Sequence, residues 1–408
     1  MKCNLHNIVK MIKKILLVSL LIGIVITGFL FSDFFSEVYT HRVKKSLTDY
    51  VTCVNEEGKM VDWYIVYKLP RSKRASTTGS SYVYIDNINT TWRLGINRVE
   101  SQNSIFGRTL QPIYDSYKNN NKRNLGYVMY NDAVPESRNY SKLFGHTKGV
   151  IAWNLYGGFL LIHSVPKFPP FPMRGYSYPS TGTKYGQIAM CITLPYKFIV
   201  ELDTIIPVNN PRAYNCSIPK VNDSNINNFN AICEKKIIRT YNNISTDIIS
   251  EKGEEFLMFA KSNNYNGNMI SEWIAPTLKS DLLSETWLHG EKLPTMCNKT
   301  YHVYNVAEVT VFTFDFINYE DHSKWLVSLN EADGWVCIGD INRSPTQRNR
   351  GGGYICSKNI NMYNSLRDSV TIFESCNIGN CSSFVDDDDV LINSTCPVAT
   401  NRNSVGFC

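Results

Sequence analysis

One pattern occurs twice in this 408-residue chain, and it limits the folds that the chain can adopt. His146-Thr147-Lys148 precedes an apolar run from Val150 to Trp153, and after a turn at two glycines (157–158) the chain returns from Phe159 to His163. His322-Ser323-Lys324 begins a similar unit 176 residues later, which returns from Trp335 to Asp340. Branched and aromatic runs separated by turn residues predict β-hairpins. The chain is therefore predicted to contain two matched halves.

The two His-x-Lys triplets carry the groups that cleavage of a phosphodiester requires. Residues two apart on a strand point to the same face, so each imidazole is predicted to project beside its ammonium group. Two such faces brought together would supply a nucleophile, a proton donor for the leaving alkoxide and fixed positive charge for the phosphoryl oxygens. A single H-x-K on a strand is common and usually has no catalytic role. Two of them in matched units, in a chain with 7 histidines, favour one shared site.

Runs of branched and aromatic residues predict a chain rich in strands. The predicted strands are Val61–Leu69, Tyr82–Ile85, Val150–Trp153, Phe159–Val165, Ile188–Thr193 and Val309–Phe316. Apolar residues at helical spacing predict helices at Glu254–Lys261 and Ser280–His289. Asn-rich stretches at 119–124 and 222–230 are predicted to be surface loops. The expected fold class is mixed α+β, with two β-sheet halves flanked by helices.

The N-terminal sequence predicts export. Lys10, Lys13 and Lys14 precede an apolar run from Ile15 to Phe31, which is the arrangement of a secretory signal. The run is long for a signal peptide and short for a spanning helix, so a retained signal anchor stays open beside the favoured cleaved signal. The chain thus divides into a signal and spacer (1–50), a first half with the Asn-rich insertion (51–235), a second half (236–380) and a cysteine-containing tail (381–408).

Cysteines and glycosylation sequons agree with an oxidising secretory compartment. Of 12 cysteines, eleven follow the apolar run. Asn-x-Ser/Thr sequons occur at Asn89, Asn139, Asn215, Asn222, Asn243, Asn298, Asn342, Asn380 and Asn393. No cysteine or histidine spacing suits zinc, and no carboxylate cluster suggests a catalytic metal, so chemistry without a metal or other cofactor is predicted. The net charge of +6 permits a polyanionic partner without demanding one.

Several segments resemble those of the deoxyribonuclease II family. They are VDWYIVYKLP (61–70), GHTKGVIAW (145–153), GGFLLIHSVPKFPP (157–170), EDHSKW (320–325), WVCIGDINR (335–343) and RGGG (350–353), spread over about 290 residues. That family resembles a duplicated phospholipase D fold in which each half contributes one His-x-Lys. The resemblance therefore implies two pseudo-symmetric β-sheet halves with one shared central site, as the repeat does.

The resemblance further implies a metal-independent acid endonuclease that acts on double-stranded DNA. His322 would attack phosphorus to form a phosphohistidine, and His146 would protonate the leaving 5′ oxygen and then activate water, which leaves a 3′-phosphate end. Lys148 and Lys324 would neutralise the phosphoryl oxygens, and His163 would be a further site residue. Because the two motifs are nearly symmetric, the residues themselves leave open which histidine attacks.

The resemblance also implies a set of disulfides. Three pairs have counterparts in the family, namely Cys53–Cys191, Cys297–Cys376 and Cys337–Cys356. Cys216 and Cys233 have none, and they are predicted to pair with each other in the Asn-rich insertion. The three tail cysteines, Cys381, Cys396 and Cys408, cannot all pair internally.

Residues near the two motifs are predicted to support the site. In the alignment of the two hairpins His163 falls opposite Asp340, so we expect Asp340 or Asn342 to orient a site imidazole. Asn342 lies in a sequon, and we expect it to be unmodified because a glycan there would obstruct a DNA groove. Asn154 replaces an Asp that is common in the family at the hairpin turn, where Asn is tolerated equally well.

The pair of histidines predicts an acid optimum, because the mechanism needs one neutral and one protonated imidazole. Neighbouring lysines shift the pH range in which this state forms to values below the ordinary imidazole pKa of about 6.5. Such a range suits a lysosomal or secreted enzyme. Two other functions stay open: a phosphodiesterase acting on lipid headgroups, and a secreted relative that binds DNA or a host target without turnover. The nuclease-type segments disfavour the first, and the intact motifs disfavour the second. Membrane contact is expected only if the N-terminal segment is retained, and a homodimer is left open.

Overall fold

A computed structural model of the chain describes residues 50–119, 125–138, 142–219, 225–236, 243–287, 289–376 and 398–400. The described residues from Val51 onward form one compact unit built on two large β-sheets. The predicted signal or anchor and almost all of the tail lie outside the described ranges. None of the helices within these ranges is long and apolar enough to cross a membrane.

The strands of the first half come from residues 53–217. They are β1 (Cys53–Val54), β2 (Met60–Val61), β3 (Trp63–Lys68), β4 (Arg71–Ser72), β5 (Thr77–Thr78), β6 (Tyr82–Asp86), β7 (Arg93–Leu94), β8 (Gly126–Asn131), β9 (Lys148–Asn154), β10 (Gly157–His163), β11 (Gln187–Pro195) and β12 (Ala213–Ser217). Eight of them form a sheet in the order β12-β8-β9-β10-β11-β3-β6-β7. β1 pairs with β2 and β4 with β5 in two small sheets.

The second sheet is built from the following part of the chain. Its strands are β13 (Asn243–Ile249), β14 (Glu255–Lys261), β15 (Leu282–Thr286), β16 (Val303–Val311), β17 (Phe314–Ile317), β18 (Lys324–Ser328), β19 (Val336–Gly339), β20 (Gly352–Ser357), β21 (Val370–Glu374) and β22 (Val398–Thr400). The order is β13-β14-β20-β19-β18-β15-β16-β21-β22, with β17 on β16. The fold is therefore mixed α+β with two β-sheet halves, as the sequence predicted.

The central strands of the two sheets correspond to each other. β9, β10 and β11 are consecutive antiparallel neighbours in the first sheet, as β18, β19 and β20 are in the second. At the motif end, Lys148 faces Asn131 of β8, and Lys324 faces Thr286 of β15. The two hairpins of the sequence repeat are thus placed alike in both sheets.

Five α-helices complete the described fold. They are α1 (Ile105–Lys118), α2 (Tyr196–Ile205), α3 (Asn228–Cys233), α4 (Ala275–Leu278), which continues a π-helical turn (Ile270–Ile274), and α5 (Ile360–Ser369). Ser104 caps α1, because its side chain accepts from the backbone N–H of Gly107 at 3.1 Å.

Alternating residues of the central strands enter different apolar layers. On β3, Trp63, Ile65 and Tyr67 belong to a core shared by both sheets, whereas Tyr64 and Val66 face an outer layer closed by α1. The shared core also contains residues of the second sheet and of α2 and α5. A third layer lies between the second sheet and the segment that includes α4. Burial on both faces explains why these strands are almost entirely apolar.

Both helices predicted for the second half are wrong. Residues 255–261 form β14, and residues 282–286 form β15. On β14, Phe256 and Met258 enter the shared core while Phe259 faces the third layer, so apolar residues occupy both strand faces. A strand buried on both faces has no alternation, and its apolar positions then also fit a helical spacing.

Smaller corrections concern turns and one loop. The predicted strand Val309–Phe316 is a hairpin of β16 and β17 that turns at Phe312, where φ is +60°. The first motif hairpin turns at residues 155–156, since Gly157 already pairs with Asn154 in the sheet. Part of the predicted Asn-rich loop at 222–230 belongs to α3, and residues 220–224 lie outside the described ranges.

Four disulfides connect the described residues. They join Cys53 to Cys191, Cys216 to Cys233, Cys297 to Cys376 and Cys337 to Cys356, the pairs named from the sequence. Cys216–Cys233 attaches α3 to the edge strand β12, and Cys337–Cys356 joins the neighbouring strands β19 and β20. Cys381, Cys396 and Cys408 lie outside the described residues.

Candidate active site

The first motif enters β9 across a contact with the second half. The backbone N–H of His146 donates to the carbonyl of Gly351 at 2.7 Å. Two residues on, the ammonium group of Lys148 lies 2.6 Å from the carboxylate of Asp132, at the end of β8. Lys148 is 3% exposed and Asp132 is 1% exposed, so this ion pair is shielded from water.

The second motif enters β18 by the reciprocal contact. The backbone N–H of His322 donates to the carbonyl of Gly186 at 2.9 Å, in the first half. Its Nδ1 lies 3.2 Å from Oε1 of Gln187 and 3.2 Å from Nζ of Lys324. Gln187 is itself fixed, because Oγ of Ser164 donates to the same Oε1 at 2.6 Å. The ring of His322 is therefore held by a side chain of the other sheet.

The two accepting glycines occupy corresponding positions, each one residue before the strand that follows its hairpin. A Cβ on Gly186 would lie 2.3 Å from Oδ1 of Asp321, and a Cβ on Gly351 would lie 2.3 Å from the carbonyl oxygen of Asn209. Both approaches are closer than real Cβ contacts. Glycine at these points lets each half reach the motif of the other.

Two buried lysines hold the loops that lead to these glycines. Nζ of Lys68 on β3 donates to the carbonyls of Thr183, at 3.2 Å, and Tyr185. Nζ of Lys261 on β14 donates to the carbonyls of residues 347, 348 and 350, at 3.0, 2.8 and 2.5 Å. Burial lowers the pKa of Lys68 to about 7 and that of Lys261 to about 8. Each lysine thus anchors the end of a loop. The residue that follows that loop is the glycine whose carbonyl accepts the backbone N–H of a motif histidine.

Arg350 joins the halves beside the first motif. Arg350 is 6% exposed, and its guanidinium lies 3.0 Å from the carboxylate of Asp132. The same group donates to the carbonyls of Phe144 and Gly145 at 3.3 Å. Although burial alone would raise the pKa of Asp132, Lys148, His146 and Arg350 hold it well below its usual value. The carboxylate therefore stays charged between its cations.

The imidazoles of the two motifs favour their neutral forms. Removal from water lowers the pKa of His146 and of His322 well below the usual 6.5. The ammonium of Lys148 lowers the pKa of His146 further, and that of Lys324 lowers the pKa of His322. Lys148 and His146 also act on His322 across the two halves. The structure thus brings both His-x-Lys motifs to one site.

A group of buried polar side chains supports the second motif. Asp321 accepts from the hydroxyl of Ser323 and from that of Tyr67, the latter at 2.5 Å. Burial raises the pKa of Asp321 and that of Glu285 on β15. Burial lowers the pKa of Lys324 well below 10.5, and the charge of Lys148 lowers it further. The carboxyls of Asp321 and Glu285 act in the opposite direction and raise it.

His163 lies at the end of β10 and is 1% exposed. Burial, together with Lys148, lowers its pKa to about 3. Its Nδ1 accepts from the backbone N–H of Val165 at 3.2 Å, so the neutral ring carries its proton on Nε2. That Nε2 has no hydrogen-bond partner among the described residues. His163 is thus a buried donor in the neighbourhood of Lys148.

The three support residues named from the sequence have different surroundings. Asp340 accepts from the backbone N–H of Gly353 at 2.8 Å and bonds the side chain of Thr147, the middle residue of the first motif. It thus contacts the motif without a described bond to an imidazole. Oδ1 of Asn342 is buried and has no partner in the described part of the chain. Oδ1 of Asn154 accepts from the backbone N–H of Tyr156 at 2.9 Å, which stabilises the hairpin turn.

The predicted sequons differ in accessibility. Asn243 and Asn298 are exposed, and Asn215 is half-buried on β12. Asn89 is buried, and its amide nitrogen donates to Asp86 at 3.0 Å, so this side chain is a poor glycan acceptor in the folded chain. Asn139, Asn222, Asn380 and Asn393 lie outside the described residues.

Cations and imidazoles predominate at the candidate site. Among the described residues, no group of three or more His, Cys, Asp or Glu side chains is arranged to hold a metal ion. The carboxylate of Asp132, beside the first motif, is already paired with Lys148 and Arg350. The arrangement provides two imidazoles for nucleophilic and proton-transfer chemistry, and fixed positive charge for an anionic substrate.

Comparison with known families agrees with this geometry. The family model described as Deoxyribonuclease II matches residues 52–376, which include both sheets except β22 and both motifs. The chain belongs to the deoxyribonuclease II family. Deoxyribonuclease-2-beta of Homo sapiens is 40% identical over 332 residues, covering 80% of this chain and 92% of the relative.

Two further relatives are similar over the same share of the chain. Plancitoxin-1 of Acanthaster planci is 34% identical over 334 residues, covering 80% of this chain and 92% of the relative. Deoxyribonuclease-2-alpha of Bos taurus is 33% identical over 338 residues, covering 80% and 90% respectively.

Sequence reasoning missed the residues that brace the two motifs. Lys68 and Arg350 lie in segments that resemble the deoxyribonuclease II family, VDWYIVYKLP and RGGG, and that resemblance was the available signal. Asp132, Gln187 and Lys261 lie outside those segments. Asp132 and Gln187 act through contacts between the halves, and Lys261 acts through a distant loop of its own half, and no local pattern predicts such contacts.

Proposed function

We propose that this member of the deoxyribonuclease II family is a metal-independent acid endonuclease that hydrolyses the phosphodiester bonds of double-stranded DNA. The observation that carries the proposal is the convergence of two His-x-Lys motifs from two sheets on one site. Lys148 and Lys324 offer positive charge to a phosphodiester anion, and the two imidazoles can act as nucleophile and acid.

His322 is the proposed nucleophile. It is partly exposed, whereas His146 is 7% exposed, so His322 is the more accessible of the two rings. When Nδ1–H of His322 donates to Oε1 of Gln187, Nε2 keeps its lone pair for attack on phosphorus. Lys148 and Lys324 are the proposed partners of the phosphoryl oxygens, and Nε2–H of His163 is a further donor.

The proposed reaction has two balanced steps. Nε2 of His322 bonds to phosphorus as the P–O5′ bond breaks, and the proton on His146 passes to the leaving 5′ oxygen. The enzyme then carries a phosphohistidine that retains the 3′ oxygen of the substrate. Neutral His146 takes a proton from water, whose oxygen bonds to phosphorus as the P–N bond breaks. His322 is regenerated, and the product carries a 3′ phosphate.

The proposed acid optimum follows from the lowered pKa of both imidazoles. Because each histidine favours its neutral form, the state with one proton on His146 forms only as the pH falls below 6.5. A lysosomal or acidic extracellular compartment is the proposed setting. The four disulfides agree with passage through the secretory pathway.

Cleavage of supercoiled plasmid in EDTA at pH 5 and pH 7.5 tests the proposal. The wild-type protein is expected to cut at pH 5, more weakly at pH 7.5, and the His322→Ala variant is expected to lose activity at both. New 3′ ends should resist extension by a polymerase until a phosphatase is added. No cutting by folded, disulfide-bonded wild type would contradict the nuclease proposal and favour a non-catalytic DNA-binding role.

A further inference from the structure

Three aromatic rings form a short stack beside the second motif. The rings of Trp287 and His289 lie 3.8 Å apart at 16° to each other, and those of His289 and Tyr319 lie 3.7 Å apart at 28°. We call Trp287, His289 and Tyr319 the aromatic column. Its spacing is close to the rise of about 3.4 Å per nucleotide along one DNA strand.

The inner end of the aromatic column touches the proposed nucleophile. The ring of Trp287 meets that of His322 at 4.8 Å in an edge-to-face arrangement. The column is carried by the segments next to the motif: Trp287 directly follows β15, and Tyr319 lies in the turn Asn318–Glu320, three residues before His322. The column therefore extends outward from His322, and a base on its outer ring would belong to a nucleotide that flanks the reacting phosphate.

Core packing does not account for the aromatic column. Its three rings belong to none of the apolar layers of the described residues. Tyr319 is 39% exposed, and Trp287 and His289 are partly exposed. Backbone and ring hold the column in place, because Nε2 of His289 lies 2.8 Å from the carbonyl oxygen of Tyr319. Rings held rigidly at the surface suit contact with another flat molecule.

A cation lies at the side of the aromatic column. The exposed ammonium of Lys184 lies 4.9 Å from the ring centre of Tyr185, and the ring of Tyr185 meets Trp287 edge-on at 4.4 Å. The charge of Lys184 also lowers the pKa of His289, although burial of His289 is the larger cause. Aromatic rings together with a cation are the combination by which proteins hold single nucleic-acid strands.

We propose that the aromatic column is a stacking site for an unpaired nucleobase of the substrate strand, with the base on the exposed ring of Tyr319 and a flanking phosphate near Lys184. The inference rests on the proposed nuclease function and names the substrate form that the site favours. Every nucleobase offers a π face, so the contact does not depend on sequence. It favours strands whose bases are already unstacked, at frayed ends, nicks or single-stranded stretches.

Cleavage of two single-stranded substrates at pH 5 in EDTA tests the inference. One is an oligonucleotide, and the other has the same backbone with abasic sugars. Because the variant loses the base stack, Tyr319→Leu is expected to lower kcat/KM on the oligonucleotide about tenfold, mainly through KM. The variant should match the wild type on the abasic strand, and Tyr319→Phe should match it on both. Equal losses on both strands, or none, would overturn the inference.

Tyr156→Leu is the matched control. Tyr156 is 50% exposed at the turn of the β9–β10 hairpin, at the opposite end of β9 from His146. Its removal also deletes a surface ring, but it is expected to leave kcat/KM unchanged on both strands.

A binding measurement separates failure of the inference from failure of the nuclease proposal. The fluorescence of a single-stranded oligonucleotide that contains 2-aminopurine is quenched when that base stacks, whether or not the strand is cut. Wild type and Tyr319→Phe are expected to quench it, and Tyr319→Leu is not. If wild type cuts neither strand yet quenches in this pattern, the nuclease proposal fails and the stacking site stands. Equal quenching by all three proteins refutes the stacking site.

Discussion

Asp340 shows how one buried side chain ties the site to pH. Its carboxyl accepts from the backbone N–H of Gly353 and bonds the side chain of Thr147, the middle residue of the first motif. Burial raises its pKa from 3.8 to about 6. Folding raises the pKa of this carboxyl, so the folded chain holds the proton more tightly than the unfolded chain does. The resulting stabilisation is complete below pH 3.8, where both states are protonated, and it is lost as the pH rises to about 6.

The Asp340→Asn variant should remove this dependence on pH. A shift of about two pKa units corresponds to about 3 kcal/mol. Relative to the variant, the wild type is expected to lose about 2–3 kcal/mol of unfolding free energy between pH 4 and pH 6.5. Denaturant titrations at both pH values measure it, with the exposed Asp247→Asn as control. A difference that stays constant with pH would contradict the assignment.

The sequence pointed to the residues that are proposed to react, but not to the residues that hold them. His146, Lys148, His322 and Lys324 were accessible to sequence reasoning because each pair shares a short motif and the motif is repeated. Asp132 and Gln187 were not, since each reaches a motif only through the pairing of strands or the meeting of the two sheets. The supporting role predicted for Asp340 or Asn342 stays a proposal, now with Thr147 as the contact of Asp340.

At the scale of elements, β3 and β14 do more than fill the sheets. Each carries one buried lysine, and the ammonium group of that lysine binds the loop that leads into the neighbouring strand of the sheet. That neighbour is β11 for β3 and β20 for β14. That loop ends at the glycine whose carbonyl accepts a motif histidine. Lys68 thereby acts on His322, and Lys261 acts on His146, through backbone alone.

Lys68→Met and Lys261→Met should each impair catalysis more than substrate binding. Without its ammonium anchor the loop shifts, and displacements near 1 Å can cost about a hundredfold in rate. We expect kcat on plasmid DNA at pH 5 to fall by at least about tenfold while KM changes little. Lys73→Met, at an exposed position of the first half, is the control. A variant with native circular dichroism and unchanged kcat would rule out the positioning role.

The strand pattern predicted some elements well and misled for others. Hairpins with strands of branched residues and a clear turn, such as β9–β10, follow from local sequence. β14 and β15 were mistaken for helices because both faces of each strand are buried, which removes the alternation that marks a strand. The sheet order could not be predicted, because neighbours such as β3 and β11 are far apart in the chain.

For the whole molecule, the ion pair of Arg350 with Asp132 connects the two halves at the site. A buried ion pair that loses one partner leaves an uncompensated charge, which typically costs about 3–5 kcal/mol. Arg350→Met and Asp132→Asn should therefore each destabilise the fold, and the double variant should lose less than the sum. We expect a coupling of at least about 1 kcal/mol in a double-mutant cycle of unfolding free energies. Additive losses would show that the pair does not join the halves.

The domain boundary predicted at residue 235 stays a proposal. The strands of each large sheet fall on one side of it, but the described residues from Val51 form one compact unit with a shared core. Duplication was predictable because it repeats a motif. The extent of the contact between the halves could not be predicted, because it depends on side chains distributed over both sheets.

The crossed backbone bonds of the two histidines have a consequence for ancestry. His146 donates to Gly351 and His322 donates to Gly186, so each half completes the entry to the other's motif. A single half on its own would leave one such donor and one such acceptor unmatched. Two copies related by a twofold axis satisfy both at once. Fusion of two such copies would keep the reciprocal contacts at any dilution, because the second half then stays at a high effective concentration.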